Sequence, residues 1–383
     1  MGLLCCPTLL SAQVSVTAIG NRVRQVNHEF TNISEAKQLG NGSILVLDEL
    51  ENLVFFIDSA WSRVQQVGRH GDGPTEYRIP VQIFVRPQGG ALLKDRNGLR
   101  FSVLDDMGNV SGVLAIPGAS SCELDRTRYA LASAGSDTSG FLYAQADPAR
   151  FLPEGGVEVA DSAAIVRWRS PCVRDTVAYV PNPYGDDAVI FGTRRVTRRM
   201  GVSVEPFAPS TQWAVALDGR VAIITPDPYR VDLVRHLGPL VRGRTIAYSK
   251  LRVTEEHKAD WRREKAMPAP ALVIARNVPG TTRQMRKQKV AEPDNWPDFL
   301  PPFLDDAVRF DGEGRIWVQR TTAARAPATY DVIDRNAERI MTVVLEPESR
   351  VVGFGRAVVL VARVDGDGFE HLEMFTNPAA AAK

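Results

Sequence analysis

Two stretches of arginine and lysine carry the strongest local charge in the chain: Arg194-Arg195 with Arg198-Arg199, and Arg283 with Arg286-Lys287 and Lys289. Neither contains an acid, so each forms a patch suited to an acidic protein surface or to anionic lipid headgroups. On a strand edge the same charges would serve only to keep that edge from pairing. Carboxylates make a second pattern, because Asp48, Asp95, Asp147 and Asp227 recur just after short apolar runs. Converging on one point, they would offer oxygens to a calcium ion. Turn chemistry explains them more cheaply, since Asp at a strand end binds nearby backbone N–H groups. Repetition at equivalent positions favours that turn reading, because a metal needs different ligands from different units. The histidines, His28, His70, His236, His257 and His371, show no ligand spacing and no His-Glu-x-x-His helix, and there is no Gly-x-Ser-x-Gly elbow. The turn Gly68-Arg-His-Gly-Asp-Gly-Pro-Thr-Glu-Tyr77 is rich enough in glycine to cradle an anion. No helix follows it, so it reads as a packed turn.

The elements that must position these groups are strands. Six times a Gly-containing turn leads into a short apolar run, at Gly42 to Asp48, Gly89 to Asp95, Gly140 to Gln145, Gly219 to Ile224, Gly314 to Val318 and Gly355 to Val361. Each is followed at hairpin distance by a second run, such as Leu53 to Asp58 or Tyr229 to Val234, and in most units by a third, such as Arg339 to Leu345. Such repetition marks a repeat architecture whose units bury their faces against one another. The expected fold is all-β, a six-bladed β-propeller forming one domain over residues 13–383. The strand-like segments Val14 to Val16 and Arg22 to Val26 have no Gly-led unit of their own. They are expected to complete the last blade and so clasp the two ends of the chain.

Uneven repeat spacing places a helical insertion, residues 251–303, between blades four and five. Thr254-Glu-Glu-His-Lys-Ala-Asp-Trp-Arg-Arg-Glu-Lys265 has an N-cap, acids in its first turn and bases in its last, which predicts a helix. A second, weaker helix is expected over residues 282–290, then an extended Pro-rich return over 293–302. Trp261, Trp296, Phe299 and Phe303 are expected to pin the insertion to the ring, and any left exposed, Trp296 foremost, would be contact anchors beside the basic stretch.

Lysine plus arginine, 46, almost cancels aspartate plus glutamate, 45, so the global charge calls for no nucleic acid. Residues 1–12 contain Gly2-Leu-Leu-Cys-Cys-Pro-Thr-Leu-Leu10 before Ser11-Ala12, which resembles the apolar core and small-residue cleavage site of an export signal without its basic start. Leu4 stands where a lipobox needs a small residue. With cleavage after Ala12, Cys122 and Cys172 remain, and an oxidising compartment makes a disulfide between them an expectation beside that of two free thiols. No later run has the ~20 apolar residues of a membrane-spanning helix.

Taken with Pro80 and Ile83-Phe-Val85, the Gly68–Tyr77 turn resembles the Gly-x-Gly-Pro-Gly-Glu-Phe turn of bacterial six-bladed propellers related to NHL-repeat and TolB-like proteins. Tyr330-Asp-Val-Ile-Asp334, Gly353-Phe-Gly355 and Val361 to Gly368 are similar to the close of such chains, as is Trp296 to Phe303 before Asp311 to Trp317. This chain departs from the pattern at Thr75, where glycine is usual, and at Tyr77, where phenylalanine is usual. The resemblance implies a fold and no single activity. The expected function is a non-enzymatic, cofactor-free docking scaffold in the periplasm, an extrinsic subunit of a membrane complex of the respiratory, photosynthetic or envelope-assembly kind. A calcium-dependent hydrolase or lactonase and a small-ligand or glycan sensor are the alternatives.

Overall fold

The computed structural model describes residues 14–71, 73, 75–95, 100–115, 133–146, 148–151, 157–169, 173–182, 205–266, 292–293 and 295–381. Residues 1–12, both basic stretches (Arg194, Arg195, Arg198 and Arg199; Arg283, Arg286, Lys287 and Lys289), Cys122, Cys172, Asp147 and the weaker helix at 282–290 lie outside them.

The protein is an all-β propeller. Three antiparallel meanders of four strands form successive sheets. The first of these comprises Pro80–Val85, Ala91–Asp95, Arg100–Leu104 and Val110–Ala115. Ser133–Ser136, Leu142–Gln145, Ser162–Arg169 and Val173–Pro181 make the next, and Gln212–Val215, Val221–Pro226, Tyr229–Val234 and Val241–Arg242 the third. A five-stranded sheet follows from Val308–Phe310, Ile316–Arg320, Thr329–Ile333 and Arg339–Val344, with Ser15–Ala18 added in parallel at its outer edge. The first strands of successive sheets touch, Ile33–Gln38 with Pro80–Val85, Pro80–Val85 with Ser133–Ser136, Ser133–Ser136 with Gln212–Val215, and Gln212–Val215 with Val308–Phe310.

An eight-stranded sheet closes the ring. Arg22–Gln25 pairs antiparallel with Glu370–Thr376, so the start of the chain completes the sheet made by its end, as expected. At the centre of this sheet Ser349–Gly355 meets Ile33–Gln38 in a short parallel pairing, Gly353 with Ala36 and Phe354 with Lys37. A β-carbon at position 353 would collide with the Ala36 carbonyl, so only glycine lets these backbones meet. Arg350 crosses the same junction, donating to the Ile33 carbonyl at 2.7 Å and gripping Glu370 at 2.6 and 2.8 Å. The unexpected element is Ser15–Ala18, which pairs with the neighbouring sheet and so straps two sheets together.

All six Gly-led runs are strands, and the side chains between sheets form the core. One interface packs Leu45, Leu47, Val54 and Phe56 against Ile83, Leu93 and Leu104, every one of them buried. A second set of aspartates organises the turns. Asp105, Asp137, Asp311, Asp334 and Asp365 each accept from the backbone N–H groups two and four residues later. Four of these turns end in a left-handed glycine, and Ala337 takes that conformation in the fifth.

Direction alternates along each meander, so turns after the first and third strands gather on one face of the ring, called here the base. Connections after the second and fourth strands gather on the other, called here the crown. Hydrogen bonds between neighbouring turns agree: Thr138 N–H donates to Leu217 C=O, and Arg220 to Gly314 C=O, both across the base. The base holds short turns such as 86–90, 137–141, 216–220 and 311–315. On the crown lie residues 67–71 and 75–79 and the described ends of the longer connections, residues 115 and 133, 146 and 161, 182 and 205, and 266 and 292.

Candidate functional site

The crown above the Gln212–Arg242 and Val308–Val344 sheets carries the helix Glu255–Ala266. Thr254 caps it reciprocally with His257: Thr254 N–H donates to the imidazole Nδ1 at 3.1 Å, and His257 N–H donates to the threonine Oγ1 at 3.4 Å. Glu255 and Glu256 face the positive end of the helix dipole, and Arg263 and Lys265 the negative end. Almost no apolar side chain lies along this helix, so packing must come from one place. Trp261 supplies it, 8% exposed, edge-on to Trp296 with ring centroids 5.3 Å apart.

Trp296 is the hub of the site. Phe207, from the connection that precedes the Gln212–Arg242 sheet, packs tilted against it at 6.0 Å, while Lys258 and Arg262 place their cations 5.6 and 5.2 Å from the indole ring. Arg262 also grips Glu292 through bonds of 2.8 and 3.1 Å. The return segment runs beside the outgoing one, with Val253 N–H donating to Asp298 C=O and Leu300 N–H to Leu251 C=O. Phe303 enters the core beside Tyr229. Asp305 accepts from Ser210 at 2.6 Å and from Gln212 at 3.0 Å, and Thr321 donates to Pro301 and Pro302, which fixes the whole arrangement to two sheets.

The aromatic residues therefore divide. Trp261, Phe303 and half-buried Trp296 anchor, so Trp296 supports the surface from below. Phe299, 40% exposed with the Arg252 guanidinium 5.1 Å above its ring, and Leu304, 38% exposed, form the outward apolar surface. Phe207 joins from about ninety residues upstream, and nothing in its local sequence marks it for this place. Both basic stretches belong to connections whose described ends, residues 182 and 205, and 266 and 292, leave and return at the crown.

The other candidate chemistry is absorbed by the fold. Asp48 accepts from the N–H groups of Thr31, Asn32 and Glu51, and Asp95 from those of Arg78 and Ile79, so both tie crown connections to their own sheets. Burial raises the Asp48 carboxyl above the usual carboxylate range, against the pull of those amides. In the Gly68–Tyr77 turn the anion cradle is filled from within, because the Glu76 carboxylate accepts from Gly73 N–H at 2.7 Å and pairs with Arg69 at 2.6 Å. Thr75 has no positive φ, as its departure from glycine implied. His28 lies between Phe30 and Phe55, and burial lowers its pKa. His371 bonds Asp365 at 2.7 Å. Among the described residues no three His, Cys, Asp or Glu side chains come together as a metal site, and no helix is long and apolar enough to cross a membrane.

No known family profile matches the chain, and no curated protein does. Distant likenesses appear among solved structures. A calcium-binding protein, regucalcin, from Agrobacterium tumefaciens is 11% identical over 95% of this chain and 98% of its own, with a TM-score of 0.43. Virginiamycin B lyase from Staphylococcus aureus is 8% identical over 93% of this chain and 98% of its own, with a TM-score of 0.44.

Proposed function

We propose that this protein is a docking scaffold that binds a protein partner through its crown, with the helix-bearing connection as the principal contact. The observation that carries the reading is the asymmetry of the ring: short turns on the base, and on the crown the ends of the long connections, whose ordering costs folding entropy. Rigid rings that concentrate long connections on one face use them for recognition. In this reading the eight-stranded sheet is two blades joined at Gly353, which makes six blades in one domain from residue 13 to 383. The insertion at 251–303 then falls between blades four and five, as in the NHL-like and TolB-like propellers that the turn motifs resemble.

The partner surface is acidic at its rim and apolar at its centre. Phe299 and Leu304 supply the apolar patch, Trp296 holds the patch in place, and Arg283, Arg286, Lys287 and Lys289, with Arg194, Arg195, Arg198 and Arg199, supply the charge. Export to the periplasm, a Cys122–Cys172 disulfide and a role as an extrinsic subunit of a membrane complex belong to the same proposal. Replacing Arg283, Arg286, Lys287 and Lys289 by Glu is expected to weaken partner binding by at least about tenfold without lowering the melting temperature. Unchanged binding would remove that stretch from the interface, and unchanged binding in Phe299→Asp as well would remove the crown.

A further inference from the structure

The base carries an apolar tip that folding does not explain. In the turn Arg235-His-Leu-Gly238, closed by Gly238 N–H donating to Arg235 C=O, Leu237 has φ of +56° and is 94% exposed. A left-handed leucine gives up conformational energy that glycine or asparagine would keep, and an exposed one gains nothing from burial. Trp61 and Ala337, also held at positive φ, pack inward, 8% and 1% exposed. Leu240 and Val241 continue the apolar surface, 50% and 40% exposed, and Leu217 on the adjacent base turn is 50% exposed. Two sheets away along the ring, Met107 stands at the tip of another base turn, 62% exposed.

Cations flank the Leu237 tip. Arg235 is paired with Asp218 at 2.7 Å, whereas Arg242 and Arg244, with side chains 66% and 87% exposed, make longer contacts to Asp232 at 3.9 Å and Glu338 at 3.3 Å. His236 lies behind the tip, 3.6 Å from Asp175. Apolar side chains that protrude from turns of separate sheets on one face, beside arginines whose ion pairs lie open to solvent, suit a flat, deformable, anionic partner better than a concave protein pocket. The geometry points to a lipid-contact surface on the base, in which Leu237 enters the headgroup region of an anionic bilayer while Arg242 and Arg244 meet lipid phosphates. The crown then faces away from the lipid. This surface is independent of the crown interface, and the two fail separately.

Flotation of the full chain with phosphatidylcholine vesicles, with and without phosphatidylglycerol, tests the assignment. The parent should float only with the anionic vesicles. Leu237→Asn, which suits positive φ, should keep or raise the melting temperature while lowering the vesicle-bound fraction about tenfold. Arg242→Gln with Arg244→Gln should weaken flotation and its salt dependence, and Phe299→Asp on the crown should leave it unchanged. A parent that ignores anionic vesicles, a Leu237→Asn variant that floats as the parent does, or cross-linking of Leu237 to a protein without vesicle binding would each overturn it.

Discussion

Replacing Tyr77 by Phe looks harmless from the sequence, since phenylalanine is usual in the turn that this segment resembles, but the structure predicts a large loss of stability. Val54 and Val67 face each other at the end of the Leu53–Ile57 and Val64–Gln66 pair, and Val67 N–H donates directly to Val54 C=O at 2.8 Å. The reciprocal ladder bond is interrupted by the Tyr77 hydroxyl, which accepts from Val54 N–H at 3.0 Å and donates to Val67 C=O at 2.8 Å. Tyr77 is 1% exposed, so water cannot take the place of the lost hydroxyl. Each buried backbone group left without a partner costs about 1–3 kcal/mol, so Tyr77→Phe should destabilise the protein by about 2–4 kcal/mol. Urea unfolding of parent and variant measures this directly, and hydrogen exchange at the Val54 amide should quicken in the variant. A change below about 0.5 kcal/mol with the Val54 amide still protected would refute the reasoning, because it would show that the two strands close over the gap and restore the ladder bond. Burial also pushes the Tyr77 phenol up to about 12 from 10.0. The folded state therefore keeps a proton that the unfolded chain loses, stability falls as pH rises from 10 towards 12, and the variant should show a shallower fall.

Other consequences follow from the ring closure and from one half-buried histidine. Deleting residues 1–25 removes both the Arg22–Gln25 strand and the Ser15–Ala18 strap, and leaves buried Glu373 with Arg363 but without Arg22, so the whole domain should melt at lower temperature in one transition; melting at the parent temperature would count against closure by the chain ends. Gly353→Ala forces a methyl group against the Ala36 carbonyl and should cost at least about 2 kcal/mol in urea unfolding, with an unchanged midpoint as the contrary result. Because burial lowers the pKa of His28 from 6.5, the unfolded state binds more protons just below that value, and stability contributed by the neutral ring is lost as pH falls through the window beneath 6.5. His28→Phe should flatten that part of the stability profile, and a parallel decline in parent and variant would show that another group is responsible.

The fold was legible because it is written in a repeated local code. A left-handed Gly leads into five of the six Gly-led strands, a turn Asp helps at some of them, and each is a short-range instruction. The helix at 255–266 was equally readable, since Thr254, the early acids and the late bases act within one or two turns. What escaped depends on meetings across the ring. Tyr77 passed for a conservative change because its use lies in a gap between Val54 and Val67. Val14 to Val16 is expected in the last blade, whereas the strand found there, Ser15–Ala18, pairs with Arg339–Val344 of the neighbouring sheet. Trp296 is expected both to pin the insertion and to serve as a contact anchor, and its packing depends on Phe207 and Trp261, which its local sequence does not show. Leu237 carried no sequence signal, since its meaning comes from its φ and its exposure together.

Cross-linking of the tagged full chain to its partner in gently solubilised membranes of its own organism, with the linked residues located by mass spectrometry, tests the central claim most directly. The account predicts one stoichiometric partner linked through crown lysines, Lys250 and Lys258 among them, with those links lost in Phe299→Asp. Links confined to the base turns, or recovery of the protein alone, would contradict it.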